Sequence, residues 1–332
     1  MDGQKIAVLG AGSWGTALAI NCTRVANQQV YLWGHRPEHI ADLQRQRENL
    51  RYLPGITFPD HLTPTSDIGV IYDCDMLLLV VPSSAFREIL QGIKPYFARQ
   101  ALGWAIKGFD KTSNDLLSHT FADFFPDSDY AVVAGPSFAK EVAQGLPTAV
   151  TVAANRLDFA HDFARFLHNH TLRTYTTDDV IGAQIGGALK NVIAIAAGIA
   201  DGLGFGANTR AALITRGLAE INRMAYQAGA RQETLMGLSG LGDLMLTATD
   251  NLSRNRRFGL LLGQGHSIDS AVKTIGQTVE GISTAREARY YAQEHHVRAP
   301  ITDIIEGIIS GRLSVDAAMK RLLSHQPKSE AD

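Results

Sequence analysis

The feature that most constrains the fold is a glycine-rich segment near the start of the sequence, AVLGAGSWGTALA at residues 7–19. It joins an apolar run, residues 5–10, to an alanine-rich stretch, and it places Gly10, Gly12 and Gly15 in the pattern G-x-G-x-x-G. In this pattern the first glycine permits a tight turn, the second lets the backbone approach a pyrophosphate, and the third allows close contact between helix and strand. Because a strand-like run precedes the glycines and a helical pattern follows them, the sequence predicts a dinucleotide-binding turn.

Short apolar runs alternate with helical patterns as far as about residue 178. Several runs lack any polar alternation, which is typical of parallel strands covered by helices on both faces. Helical patterns lie between them, for example at 83–97 and 156–170. The sequence therefore predicts an α/β Rossmann-type N-terminal domain with a mostly parallel sheet over residues 1–178. Its strand candidates are residues 5–10, 29–34, 75–81, 102–108, 130–135 and 148–154.

Beyond residue 178 the strand-like runs nearly vanish and long helical patterns replace them, which predicts an all-α C-terminal domain over residues 179–332. No linker rich in proline and serine separates the two parts. We therefore expect them to pack tightly, with a ligand site in the cleft between them. The segment at 180–200 has about the length of a membrane span. Gln184, Lys190 and Asn191 occupy its middle, so a buried helix is favoured over membrane insertion.

Charge and composition restrict the partners. The 332 residues carry a net charge of −2 with both signs interspersed, so there is no basic field for nucleic acid and small-molecule partners are expected. Cys22 and Cys74 are the only cysteines, and His161, His168 and His170 lack accompanying carboxylates or thiols, so neither a disulfide framework nor a metal site is expected. The N-terminus has no features of a secretory signal, and a cytoplasmic location is expected.

Lys190 is the first candidate for chemistry. It is the only charged residue between Asp179 and Asp201, in a segment that is otherwise apolar, small or amide-bearing. Burial would lower its pKa toward neutrality, and such a lysine can exchange protons with a hydroxyl or a carbonyl. Asn191 is placed to position the same oxygen, or to satisfy a helix contact. A lysine that snorkels to a helix end or pairs with a carboxylate fits the sequence equally well.

Two further basic segments are candidates. Lys107 ends a strand-like run, and ligands bind at the carboxyl ends of parallel strands, although an exposed loop lysine fits the same position. At 251–262, NLSRNRRFGLLL, Ser253 can cap a helix that begins with Arg254, Asn255, Arg256 and Arg257. Helix-start amides and guanidinium groups suit a phosphate, with ordinary basic surface as the alternative.

The end of the second predicted strand bears on the choice of dinucleotide. NAD sites commonly place an acid there to bind the ribose hydroxyls, whereas this sequence has WGHRPEHI at 33–40. Arg36, with His35, offers a cation to a 2′-phosphate. NADPH is therefore favoured over NADH, which is not excluded, and a solvated loop arginine is the alternative.

Taken together, the segments resemble those of the NAD(P)-dependent glycerol-3-phosphate dehydrogenases, in particular the bacterial enzymes. The resemblance implies a Rossmann domain followed by a helical domain for substrate binding and dimerisation, usually in a homodimer. It also implies that NAD(P)H reduces dihydroxyacetone phosphate to sn-glycerol 3-phosphate, which supplies phospholipid synthesis, and that no metal is needed. The matching segments are AVLGAGSWGTALA, the KG at 107–108, VVAGPSFAKEVAQGLPTAV, ALKNVIAIAAGIADGLGFGANTRAALITRGLAEI, GLSGLGDLMLTATDNLSRNRRFG and GQTVEG.

The resemblance also implies roles for individual residues. Lys190 would be the proton donor to the nascent alkoxide, Lys107 would polarise the carbonyl, and Asp243 and Asn191 would complete the polar network. Ser137 stands where many members have threonine, and both carry a hydroxyl. Besides Lys107, Lys190 and Asp243, the implied substrate contacts are Gly135, Ser137, Ser253, Arg254 and Asn255. Besides the turn glycines, the implied cofactor contacts are Ser13, Trp14, Arg36, Lys107, Ala139, Arg254 and Glu280.

Two other functions fit the same residues. One is another reductase with this two-domain plan, of the β-hydroxyacid or 6-phosphogluconate type, whose substrate would carry a carboxylate or a sugar acid. The other is a nucleotide-sensing module that binds the cofactor without turnover.

Overall fold

An eight-stranded sheet and a two-stranded hairpin make up the β structure of the protein, in a computed structural model that describes residues 3–323. The order of strands in the large sheet is β10-β9-β8-β7-β6-β1-β2-β5, and β3 pairs with β4. The strands are β1 (Gln4–Leu9), β2 (Gln28–Trp33), β3 (Glu48–Asn49), β4 (Leu53–Thr57), β5 (Leu62–Thr65), β6 (Met76–Leu79), β7 (Ala101–Trp104), β8 (Tyr130–Ala134), β9 (Thr148–Ala154) and β10 (Leu172–Thr177).

Both faces of the sheet are covered, which explains the continuous apolar runs. Ile6 and Val8 of β1 face one hydrophobic cluster, whereas Ala7 and Leu9 face another. Because successive strand residues point to opposite faces, every position along such a strand is buried and apolar. The helices of this half are α1 (Ser13–Cys22), α2 (Pro37–Gln46), α3 (Phe86–Ile93), α4 (Leu117–Phe124), α5 (Ala139–Gln144) and α6 (Leu157–Arg165).

All six predicted strands are confirmed, as is the mostly parallel sheet. The one antiparallel pair of the large sheet lies near one edge, where β9 runs antiparallel to β8. The edge strand β10 is parallel to β9 and so also runs against the rest of the sheet. The sequence did not predict the edge strands β5 and β10, because threonine, proline and arginine interrupt their apolar pattern. β1 lies between β2 and β6, so the glycine turn leaves the sheet where the strand order reverses, the usual ligand crevice of such folds.

The second half is helical, as predicted, and it is arranged around its first helix. That helix has 23 residues, and 94% of its apolar 18-residue stretch is buried inside the fold. The predicted domain boundary at 178/179 stays a prediction, and residues 324–332 lie outside the described range. The helices are α7 (Val180–Gly202), α8 (Ala207–Gln227), α9 (Gln232–Met236), α10 (Asp243–Thr249), α11 (Arg254–Gly263), α12 (Ile268–Ile275), α13 (Glu280–Glu294), α14 (Pro300–Ile309) and α15 (Val315–Leu323).

Two glycine pairs bring α7 and α11 into main-chain contact. A Cβ added at Gly198 would lie 2.1 Å from the carbonyl oxygen of Arg256, and one at Gly259 would lie 2.1 Å from that of Ile195. Gly202 and Gly263 meet one turn further along. The spacing of four residues in each helix puts each pair on one face, so these helices approach more closely than any side chain would allow.

Candidate active site

The glycine turn joins β1 to α1, and its three glycines differ in what surrounds them. Gly10 has φ +128°, and a Cβ there would lie 2.2 Å from the carbonyl oxygen of Val80. A Cβ at Gly15 would lie 1.8 Å from the carbonyl oxygen of Gly10, whereas one at Gly12 would meet nothing within 4 Å. The protein's own packing therefore requires glycine at the first and third positions. The open space at Gly12, at the start of α1, fits the phosphates of a dinucleotide.

The residues around this turn offer further ligand contacts. The indole Nε1 of Trp14 is buried without a hydrogen-bond partner among the described residues, so it is a free donor at the turn. Ser13 donates its hydroxyl to the carbonyl of Tyr52 at 2.6 Å, and Arg36 donates to the Tyr52 hydroxyl at 3.0 Å. His35 is exposed. Nothing in the sequence pointed to Tyr52, because its proximity to the turn arises only in the folded chain.

A lysine pair shares one carboxylate between the two halves of the chain. Lys107, just beyond β7, donates to Asp243 Oδ2 at 2.8 Å. Lys190, in the middle of α7, contacts Asp243 Oδ1 and donates to the hydroxyl of Thr247 at 2.8 Å. Lys190 is thus both buried and paired with a carboxylate, and it does not snorkel to a helix end. Thr247 follows Asp243 by four residues on α10, a spacing that could have indicated it in the sequence.

The two amines differ in their proton affinity. Burial lowers the pKa of Lys190 to about 7, and the neighbouring Lys107 adds to this effect, while Asp243 opposes it. Burial also acts against the charged form of Lys107, but the charge and the hydrogen bond of Asp243 outweigh it and raise the pKa of Lys107. Lys107 therefore stays an ammonium at neutral pH, whereas Lys190 can release and accept a proton there.

Hydrogen bonds connect Asn191, the residue after Lys190, to the helices α11 and α13. Asn255 donates to Asn191 Oδ1 at 2.9 Å and accepts from the N–H of Gly281 at 2.9 Å. Asn191 in turn donates to Glu280 at 3.3 Å. These bonds fix the orientation of the Asn191 amide beside the lysine pair.

The predicted phosphate site lies at the start of α11. Ser253 caps this helix, accepting from the N–H of Arg256 at 3.2 Å, as predicted. Arg254 and Arg257 line the cavity described below. The guanidinium of Arg256 points the other way and pairs with Asp201, with the residue 8% exposed. The prediction is therefore wrong for Arg256. Residues two positions apart on a helix, such as Arg254 and Arg256, lie on nearly opposite faces.

One cavity, between the sheet and the helical half, brings most of the candidate residues together. Arg36 lines a neighbouring groove and reaches the cavity through its bond to Tyr52, whereas His35 lines neither. Gly135 lies beside the cavity, where its carbonyl accepts from the Ser137 hydroxyl at 2.9 Å. Among the candidates, the cavity is lined by Ser13, Trp14, Lys107, Ser137, Ala139, Lys190, Asn191, Asp243, Ser253, Arg254, Asn255 and Glu280.

Other lining residues were missed in the sequence. Lys140, Thr247 and Gln277 line the cavity together with Tyr52. The first three lie inside segments that resemble the family, but the sequence indicated no role for them individually. Within residues 3–323 no group of three histidine, cysteine, aspartate or glutamate residues is close enough to hold a metal ion. His161 and His168 instead bind threonine hydroxyls of β10 through their Nδ1 atoms, at 3.2 and 3.0 Å.

A Rossmann-type sheet, a glycine turn at its crevice and a lysine pair in the adjoining cleft define a two-domain NAD(P)-dependent oxidoreductase. Comparison with known families identifies the family of oxidoreductases. The profile described as NAD-dependent glycerol-3-phosphate dehydrogenase N-terminus matches residues 5–160, and the one described as its C-terminus matches residues 179–320. The chain belongs to the NAD-dependent glycerol-3-phosphate dehydrogenase family.

Individual relatives cover the whole chain. A glycerol-3-phosphate dehydrogenase, NAD(P)+, of Thioalkalivibrio sulfidiphilus is 51% identical over 99% of this chain and 100% of its own. One of Xanthomonas euvesicatoria pv. vesicatoria is 49% identical over 98% of this chain and 96% of its own. The crystal structure of glycerol-3-phosphate dehydrogenase from Coxiella burnetii is similar with a TM-score of 0.94 and 42% identity, covering 98% of this chain and 100% of that one.

Proposed function

We propose that the protein catalyses the reversible, NAD(P)H-dependent reduction of dihydroxyacetone phosphate to sn-glycerol 3-phosphate. The observation that carries this proposal is the pair of lysines, Lys107 and Lys190, on one buried carboxylate inside the cavity beside the glycine turn. Family membership supports the substrate, because the relatives are named for glycerol 3-phosphate.

The mechanism follows from the proton affinities of the two amines. A nicotinamide cofactor held at the glycine turn would supply the hydride that reduces the C2 carbonyl of the substrate. Lys107, which stays charged, polarises the carbonyl oxygen and stabilises the negative charge that grows on it. Lys190 donates the proton that this oxygen takes up, and accepts it back in the reverse direction. Asp243 holds both amines in place. The fixed amide of Asn191 orients the carbonyl oxygen of the substrate between the two amines.

The remaining residues have binding roles in this proposal. The N–H groups at the start of α1 would hold the cofactor pyrophosphate, and the indole N–H of Trp14, which has no partner among the described residues, would donate to the cofactor. The substrate phosphate binds at the capped start of α11, where the helix amides and a guanidinium converge. The proposed substrate residues are Lys107, Gly135, Ser137, Lys190, Asp243, Ser253, Arg254 and Asn255. The proposed cofactor residues are Gly10, Gly12, Ser13, Trp14, Gly15, His35, Arg36, Lys107, Ala139, Arg254 and Glu280.

We also infer a preference for NADPH, a homodimeric state and a cytoplasmic role in supplying phospholipid synthesis. Arg36 supports the cofactor preference, since its guanidinium lies beyond β2, where an NAD site commonly has an acid. The homodimer and the biological role are supported by the resemblance of the sequence to the bacterial enzymes. The burial of α7 within the fold supports a protein that is not inserted in a membrane.

An assay of Lys190→Ala tests the proposal directly. The variant should lose about 10²- to 10⁴-fold in kcat for NADPH-dependent reduction of dihydroxyacetone phosphate, while its Kd for NADPH, from fluorescence titration, stays unchanged. Lys273→Ala, which changes a lysine of the exposed face of α12, is the matched control and should keep full activity.

Two outcomes would overturn the proposed function. If the wild-type protein reduced three-carbon keto acids and left dihydroxyacetone phosphate unreacted, the substrate would be wrong and a β-hydroxyacid type of reductase would be favoured. If it bound NADPH without turnover of either, the binding module would be favoured. Parallel titration with NADH and NADPH decides the cofactor preference separately.

A further inference from the structure

Arg256 is a buried charged residue that the proposed mechanism does not use. It lies in the first turn of α11, is 8% exposed and does not line the cavity. Its Nη1 atom donates to the side-chain oxygen of Asn251, and its Nη2 atom donates to Asp201. Its Nε atom has no hydrogen-bond partner among the described residues. Because an unpartnered donor in a packed interior is costly, this arrangement needs an explanation.

Asp201 lies near the end of α7 and also binds a second arginine. It accepts from Arg210 of α8 at 2.9 and 3.0 Å, so one carboxylate serves two guanidinium groups. Replacing a buried ion pair by well-packed apolar side chains is often neutral or stabilising for a fold. Stability alone therefore does not account for this cluster, and the segment that it holds in place is the better explanation.

That segment is the connection between α10 and α11, where the partner of Arg256 is the exposed residue Asn251. Within the connection, Asp250 Oδ1 accepts from the N–H of Leu252 at 2.6 Å, and the Asp250 carbonyl accepts from the N–H of Ser253 at 3.2 Å. These two bonds turn the chain, but both are local to the connection. The bonds of Arg256 attach the turned chain to α7.

The same connection forms part of the cavity wall. Leu252 and Ser253 line the cavity and are followed directly by Arg254, which lines it too. Ser253 caps α11, and a helix whose cap is displaced frays in its first turn. A shift of the connection would therefore disturb the N–H groups and the guanidinium of the proposed phosphate site.

Arg256 is fixed on α7 by both its main chain and its side chain. A Cβ at Gly198 would lie 2.1 Å from the Arg256 carbonyl oxygen. Asp201 follows Gly198 by three residues, so both contacts lie on one side of the helix. Since α7 also carries Lys190, Arg256 connects the proposed phosphate site to the helix of the proposed proton donor.

We propose that Arg256 is a positioning residue for the substrate phosphate: it anchors Asn251 to α7 and thereby keeps the first N–H groups of α11 and Arg254 aimed at one point. Arg256 does not itself contact the phosphate. This role rests on the proposed function, in which the phosphate of dihydroxyacetone phosphate binds at the capped start of α11. A substrate without a phosphate gains nothing from the anchor, which separates this role from a contribution to folding.

Two variants remove the anchor in different ways. Asn251→Ala takes away the acceptor at an exposed position, where substitutions disturb folding least. Arg256→Lys keeps a positive charge beside Asp201, but a single ammonium cannot reproduce the fork of donors that reaches two partners.

The readout is kcat/KM with dihydroxyacetone phosphate and with dihydroxyacetone, which lacks the phosphate, both at saturating NADPH. In each variant the ratio of the first value to the second should fall about tenfold, because a displaced phosphate site weakens only the phosphorylated substrate. The value for dihydroxyacetone should stay within about twofold of the wild type. The inhibition constant of inorganic phosphate, as a competitor of dihydroxyacetone phosphate, should rise about tenfold as well.

Gln91→Ala is the matched control, since it removes an exposed amide from α3, in the N-terminal half of the chain. Its two kcat/KM values and its inhibition constant for inorganic phosphate should match those of the wild type.

An unchanged ratio in Asn251→Ala would overturn the inference. So would a loss of kcat/KM that is equal for the two substrates in both variants, because that result indicates a purely structural role. Both results require a wild type that reduces dihydroxyacetone phosphate. A wild type that leaves it unreacted would instead refute the proposed function.

Discussion

Lys107 and Lys190 bind different oxygens of the same carboxylate, although one follows strand β7 of the sheet and the other lies on the central helix of the helical half. Asp243, 1% exposed in its side chain, lies between them. A single negative charge cannot neutralise two ammonium groups in a buried site, so one of the amines is driven toward its neutral form. In the proposed mechanism, the shared carboxylate thus divides the roles of a fixed cation and a proton donor between two identical side chains.

Replacing Asp243 with asparagine should move the pH dependence of the reaction. Without the carboxylate the pKa of Lys190 should fall below its present value of about 7. Ketone reduction needs the ammonium form, so the alkaline decline of kcat should shift to lower pH. Removing one partner of a buried ion pair also costs about 3–5 kcal/mol of stability. A kcat–pH profile that coincides with that of the wild type would contradict the division of roles.

Replacing Arg36 with glutamine should change the choice of cofactor. A charge-assisted hydrogen bond to a 2′-phosphate is worth about 1.5–3 kcal/mol, so the KM for NADPH should rise roughly ten- to a hundredfold, while that for NADH stays within about twofold. Arg165→Gln, at an exposed position of α6, is the control and should leave both values unchanged. Equal increases for the two cofactors would show that Arg36 does not contact the 2′-phosphate.

Glu287 is a buried carboxyl on α13, and its replacement by glutamine should stabilise the fold in a pH-dependent way. In the unfolded chain this carboxyl loses its proton near its ordinary pKa of 4.5, and in the folded protein near 7. Between these values the folded state binds more protons, so the wild type loses stability as the pH rises, by up to about 3 kcal/mol. Glutamine does not titrate. Urea denaturation at about pH 5 and pH 8 should therefore show the stability advantage of the variant growing with pH, and a constant difference would refute the prediction.

Gly259→Ala tests the contact between α7 and α11. The added Cβ would lie 2.1 Å from the backbone oxygen of Ile195, which cannot move without its helix, so a loss of about 2–3 kcal/mol or more is expected. Gly92→Ala is the matched control, on the exposed side of α3 where a Cβ meets nothing within 4 Å. It should stabilise the fold by about 0.5–1 kcal/mol. Thermal unfolding of both variants measures the difference, and similar melting temperatures would argue against the main-chain contact.

Local patterns were sufficient for much of the fold. The glycine turn and the six inner strands could be predicted because residues close in sequence determine them, and burial on both faces removes polar alternation. The edge strand β10 has one exposed side and a mixed composition, so its pattern was too weak. The reversed direction of β9 depends on the path of the chain between strands, which no local pattern records.

The residues of the candidate site likewise fall into those that the sequence indicated and those that only the folded chain brings together. Lys190 was visible in the sequence because a single charge in an apolar helix is conspicuous, and Ser253 because it precedes a helix start. Tyr52 acts through contacts with residues far away in the chain, and it lies in no recognisable motif. Arg256 resembles Arg254 in sequence, and only the packing of α11 on α7 separates the buried guanidinium from the one in the cavity.

The main-chain contact between α7 and α11 fixes the distance between the two helices. Lys190 lies on α7. The proposed phosphate site lies at the capped start of α11, just before Arg254. Since glycines bring the two backbones together, the distance between the backbones at Lys190 and Arg254 is set by the helix crossing and not by side chains packed between α7 and α11. In the proposed function, this crossing limits the length of the substrate, and a relative that accepts a longer phosphorylated ketone would need a different connection at 250–253.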